Sequence, residues 1–147
     1  MTVTEDLFMK CPPEVAFDAI ADIRNGTSWN DDVSRAEMTT EEPVGQGSRF
    51  ITSHGAPLGD IASTITVFDR PERIEFTSTS KRMNLDVAFT FTKSDAGTMV
   101  HGTFEPKPKG LMALVFPLLR PMIVRGMTKQ HENLTAFCES RAALSEE

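Results

Sequence analysis

DIASTITVFDRPERIEFTSTSKRMNLDVAFTFT, residues 60 to 92, settles the architecture expected of this chain. Its apolar residues recur at every second position: Ile61, Ile65 and Val67, then Ile74 and Phe76, then Leu85, Val87, Phe89 and Phe91. A period of two belongs to strands with one buried face, because successive side chains of an extended chain point to opposite sides. Asp69-Arg70-Pro71-Glu72 separates the first two runs and carries proline at a favoured turn position, so the runs read as consecutive antiparallel strands. In NLDVAFTFT the alternate positions are Asn84, Asp86, Ala88 and Thr90, which leaves Leu85, Val87, Phe89 and Phe91 to face inward.

The meander extends in both directions. Gly45-Gln46-Gly47 joins a strand near residues 33 to 40 to RFITSH, residues 49 to 54, and its glycines suit the positive φ of a hairpin turn. They do not make a dinucleotide fingerprint, whose third glycine would fall at Phe50. RFITSH turns through Gly55-Ala56-Pro57, and Asp95-Ala96-Gly97 makes a further hairpin into TMVHGTFEP, with Val100, Gly102 and Phe104 inward. At the other end LFMKC, residues 7 to 11, suits a first strand. Pro12-Pro13-Glu14 then starts a helix, with Phe17, Ile20 and Ile23 or Val15, Ala19 and Ile23 as its apolar stripe, and Asn25-Gly26 ends it. Ser28 to Val33 reads as a turn or a second short helix. After the connector PKPKG, residues from Leu111 to about Ala143 are helical in pattern, with Met127, Gln130, Leu134 and Phe137 or Cys138 at helix spacing. The expected fold is α+β over a single domain, residues 1 to 147: a curved antiparallel sheet of about seven strands around a long C-terminal helix, with two short helices after the first strand. The residues leave open whether the shared interior is packed solid or partly hollow.

Composition removes several functions. A net charge of −6, no tyrosine and one tryptophan argue against nucleic acid as a partner. The first six residues contain two acids and no apolar leader follows, so a cytoplasmic protein is expected. Cys11 and Cys138 have neither CxxC nor metal-ligand spacing and read as reduced thiols, with a single bridge between them left open. No metal and no cofactor is expected. His54, His101 and His131 lack ligand spacing and read as surface or structural residues; His54 is the weak candidate for a catalytic role. Arg49, Asp60 and Asp86 lie on strand faces that alternation does not assign.

GLMALVFPLLRPMIV, residues 110 to 124, carries one charge and two internal prolines. Its apolar residues span only about 21 Å as a helix, short of the roughly 20 residues a bilayer core requires. Pro117 is expected to kink the run or to split a short helix, 110 to 116, from the main one. From Pro106 to His131 there is no acid, while Lys107, Lys109, Arg120, Arg125 and Lys129 are basic. Such a segment either pairs with acids elsewhere or docks on an anionic membrane or an acidic ligand.

Several motifs also resemble a known family: Cys11-Pro12-Pro13-Glu14-Val15-Ala16-Phe17 after the first strand, Trp29, the GxGSRF hairpin, ITVFDRPERIEF, and a terminal helix with HENLTAFCE. Together with the order of elements they resemble a polyketide cyclase/dehydrase-type member of the START-like, or Bet v 1-like (SRPBCC), superfamily of helix-grip proteins. The resemblance covers essentially the whole chain and marks the fold, not a reaction. It implies a small hydrophobic ligand, lipid or polyketide-like, held between sheet and helix, or alternatively a polyketide cyclase/dehydratase working in the same cavity. The implied walls are Ile65, Phe76, Leu85, Val87, Phe89 and Phe91 on the strands, with Trp29 near one end. On the helix they are Met112, Phe116, Leu119, Met122, Ile123 and Met127, where methionines would tolerate ligands of varied shape.

Overall fold

The computed structural model describes residues 2–55 and 58–145. The elements are β1 (Val3–Met9), α1 (Pro13–Ala21), a 3-10 turn (Ile23–Asn25), α2 (Gly26–Trp29), β2 (Val33–Met38), β3 (Arg49–His54), β4 (Asp60–Asp69), β5 (Arg73–Thr79), β6 (Met83–Ser94), β7 (Gly97–Pro108) and α3 (Leu111–Ser145). The seven strands form one antiparallel sheet in the order β1-β7-β6-β5-β4-β3-β2. This is the helix-grip α+β fold. The turn expected at Gly55-Ala56-Pro57 falls partly on Ala56 and Pro57, outside the described residues.

Register sets the inner face. Phe76 pairs with Val87, which pairs with Phe104, and Ile74 pairs with Phe89, which pairs with Gly102, so the alternating residues of β5, β6 and β7 share one side. In β4 the alternation breaks: Ile65 pairs with Phe76, but a bulge before Val67 brings Phe68 opposite Ile74. An extra residue inverts the phase of everything beyond it. Phe68 therefore turns inward, where its ring meets Phe17 edge-on at 5.0 Å.

β1 begins at Val3, four residues before the expected start at Leu7. Its inward positions are Val3, Glu5, Leu7 and Met9, and the acid at the second of them masks the apolar period in the sequence. α1 starts with Pro13 at its first turn and buries Ala16, Phe17, Ala19, Ile20 and Ala21. It stops at Ala21, ahead of Asn25-Gly26, because the Asp22 side chain accepts from the Arg24 backbone N–H and opens the 3-10 turn instead. Phe17 also packs on Phe91 at 5.4 Å, so α1 plugs this end of the sheet.

α3 is one helix of 35 residues with Pro117 and Pro121 inside it, so the separate helix expected over 110 to 116 does not form. Each proline removes a bond to the carbonyl four residues back, those of Ala113 and Pro117. Both residues are exposed, so water can take the place of the missing donor. The second half of α3 lies against β1, β7 and α1 and buries Leu134, Cys138 and Ala142.

Candidate ligand site between the sheet and the long helix

One face of β6 reports how tightly the interior is filled. Phe91 and Phe89 are buried, whereas Val87 and Leu85, further along the same face, are half-buried although they point inward. The interior is closed at the Phe17 end and loosens toward the start of α3. On α3 the inward positions Met112, Leu119, Ile123 and Met127 are likewise half-buried, with Phe116 buried among them. Ile65 and Phe76 are buried in the core together with Phe91.

Met122 does not join this set: it is 63% exposed and points outward. The physical reason is that α3 carries two apolar stripes. Met112, Phe116, Leu119, Ile123 and Met127 follow one helical repeat, and Leu111, Val115, Leu118 and Met122 follow another about 100° away. Spacing alone does not say which of them meets the sheet. Trp29 is half-buried and lines a separate surface groove of about 450 Å³ between α2 and α3, with Asp31, Asn133 and Phe137.

Three polar groups interrupt the inner surface. The first is His131, a buried residue on α3 whose Nδ1 bonds the Glu5 carboxylate of β1 and whose ring stacks on Phe104, centroids 5.0 Å apart. Gly102 lies beside Glu5 in register and makes room for this arrangement. A Cβ there would sit 2.9 Å from the Phe104 ring and 3.1 Å from the Phe89 ring. An ionised carboxylate only accepts, so Nδ1 donates to it and a neutral imidazole keeps its lone pair on Nε2. Sequence reasoning placed His131 on the helix without a role. No local signal marked the pair, because the strand expected from the sequence began at Leu7 and left Glu5 outside it.

The second is Ser63 with Ser78, buried on β4 and β5 with their hydroxyls 2.7 Å apart. The third is His54, whose Nε2 lies 3.0 Å from the Thr52 hydroxyl at the end of β3. Burial holds the His54 pKa below its ordinary value, against the opposing pull of Asp32 and Asp60. His101 is on the outer face and pairs with Asp6 at 2.5 Å. Arg49, Asp60 and Asp86 do not converge: Asp86 binds Lys107 at 2.8 Å, and Arg49 and Asp60 are exposed.

Cys11 and Cys138 are free thiols, both buried and near enough to perturb one another. Among the described residues no cluster of three or more His, Cys, Asp or Glu could hold a metal ion.

A grip of sheet on helix is shared by many proteins, and the match in sequence narrows it. Residues 1–139 match the polyketide cyclase/dehydrase and lipid transport family. The chain belongs to that family. Solved structures agree with this family in fold. An aromatase/cyclase from a Streptomyces species superposes with a TM-score of 0.77 at 14% identity, covering 96% of this chain and 94% of that one. A START superfamily protein from Mycobacterium smegmatis gives 0.70 at 12% identity, covering 97% of each chain. Ara h 8.0201 gives 0.71 at 14% identity, covering 95% of this chain and 98% of that one. No curated protein matches the chain in sequence. At these identities the structures establish the polyketide cyclase/lipid transport fold and leave the ligand to the site itself.

Proposed function

We propose that the protein binds a small hydrophobic molecule, lipid or polyketide-like, between the loosened half of the sheet and the first half of α3. The observation that carries this reading is the burial gradient along β6, where inward-facing Val87 and Leu85 keep accessible surface, while Met112, Leu119, Ile123 and Met127 on α3 are likewise only half-buried. Apolar surface left open on an inner face has a desolvation free energy to release to a ligand, roughly 25 cal/mol per Å² covered. Phe116 borders the site, and the buried end with Ile65, Phe76, Phe89 and Phe91 forms its floor.

Val87→Trp tests it by filling the gap. The expected result is displacement of a fluorescent apolar probe with little change in melting temperature. In a close-packed interior the same substitution would overpack and cost about 1–3 kcal/mol. A destabilised variant, or one that still binds the probe as the parent does, would reject the site. Mass spectrometry of whatever co-purifies would then give the ligand class.

The His131–Glu5 pair favours a second reading, catalysis of cyclisation or dehydration in the same space. Glu5 orients the ring, and Nε2 is left to take the proton beside a carbonyl while a hydroxyl on the next carbon departs with that proton as water. His131→Gln should abolish the elimination of a β-hydroxyketone thioester while leaving apolar-probe binding intact. Equal turnover by the variant would dismiss this reading without touching the first.

A further inference from the structure

The first half of α3 presents a surface that the ligand reading does not use. Leu111, Leu114, Leu118 and Met122 are 73%, 75%, 82% and 63% exposed, and Val115 lies among them. On a helical wheel these five fall within roughly 100° of one another, a continuous apolar face turned away from the sheet. Beside its start, Lys81, Arg82 and Lys109 line an open groove of about 410 Å³ whose remaining walls are Gly110, Leu111 and Met112. Further along α3, Arg125 falls on the same side of the wheel, while Arg120 projects from the opposite side.

The charge here runs against that of the whole chain. Net charge is −6, yet from Pro106 to His131 there is no acid. Asp86 neutralises Lys107 and Asp31 reaches Lys129, but among the described residues Lys81, Arg82, Arg120 and Arg125 have no carboxylate partner. Lys109 is held by the Ser80 carbonyl, which leaves its charge uncompensated. An apolar face bordered by unpaired cations complements an interface in which acyl chains lie under anionic headgroups.

We infer that this face docks on an anionic phospholipid bilayer, with the first half of α3 lying in the plane of the interface and the Lys81/Arg82/Lys109 groove taking phosphate headgroups. A spanning helix is the alternative that length suggests, since Leu111–Leu144 is long and apolar enough to cross. The fold opposes it. Crossing would pull Leu134, Cys138 and Ala142 out of the core and separate His131 from Glu5. Only the first half of the helix is free to meet lipid.

The experiment is co-sedimentation with phosphatidylcholine vesicles, with and without phosphatidylglycerol, at low and high sodium chloride. The expected result is binding at least tenfold tighter to the anionic vesicles, released by salt as screening shortens the reach of the charges. Leu114→Glu/Leu118→Glu and Lys81→Glu/Arg82→Glu should each lower it at least tenfold. All four positions are exposed, so an unchanged melting temperature will show that both variants fold. Equal binding to neutral vesicles, indifference to salt, or full binding by either double variant would overturn the proposal. So would a wild-type dimer that ignores vesicles and is dispersed by Leu114→Glu/Leu118→Glu, which would assign the face to a second copy of the chain.

Discussion

His131→Leu would strand the Glu5 carboxylate, since the imidazole is its hydrogen-bond partner on the inner face of β1. The expected cost is at most about 1–3 kcal/mol, the range for a buried acceptor left without a donor, reduced here because the Glu5 carboxylate is only partly buried. Adding Glu5→Leu removes the orphan, so the double variant should regain much of the loss; urea denaturation of the two singles and the double measures the coupling. Purely additive losses would mean that the pair is not a unit. Gly102→Ala addresses the same cluster by steric means. The new methyl would press on the Phe104 and Phe89 rings and push Phe104 from its stack on His131. A loss of about 1–3 kcal/mol is expected by thermal melting, as for other overpacked cores. Of these residues only the inward glycine was legible in the chain, as a small residue on an otherwise apolar strand face. That Glu5 and His131 meet across 126 positions is a fact of tertiary contact that no local pattern carries.

α3 shows how an element tolerates what its sequence advises against. Prolines at 117 and 121 predict a break, yet the helix runs on, because the carbonyls they leave unbonded belong to exposed residues and the partly buried stripe beside them holds the backbone in place. Pro117→Ala restores an intrahelical bond and should raise the melting temperature, with a gain of about 1–3 kcal/mol, less than the full helix-interior penalty because water already serves the freed carbonyl. An unchanged or lower melting temperature would show that the first turns of α3 add nothing to global stability. β3 carries a prediction of its own. His54 is held neutral by burial, so its proton resonance should titrate with a midpoint below 6.5. Its folded pKa being the lower one, the contribution of this group to stability is present above the unfolded value and lost as pH falls through the folded one. A midpoint at or above 6.5 would show that Asp32 and Asp60 outweigh burial.

Across the molecule, two buried free thiols, one near each end of the chain, set an alkaline limit. Burial, helped by Glu139, pushes Cys11 up to about 11, and burial, helped by Cys11 and Glu139, pushes Cys138 up to about 12. In the unfolded chain both ionise near 9, so above that pH the unfolded state has released protons that the folded state still holds. Stability should therefore fall as pH climbs from about 9 toward 11, and the fall should be shallower in Cys138→Ala; a parallel fall in the variant would assign it to other groups. The succession of strands in the meander, the inward face of β5 to β7 and the long final helix were present in the chain, because periodicity two and periodicity 3.6 are local consequences of backbone geometry, whereas the pairing of β1 with β7 was not. The phase change in β4, the meeting of His131 with Glu5 and the choice between the two apolar stripes of α3 were not. Each depends on what lies opposite in space: a partner strand that absorbs an extra residue, a carboxylate that admits a polar ring to the interior, and a sheet that covers one stripe and leaves the other to its surroundings.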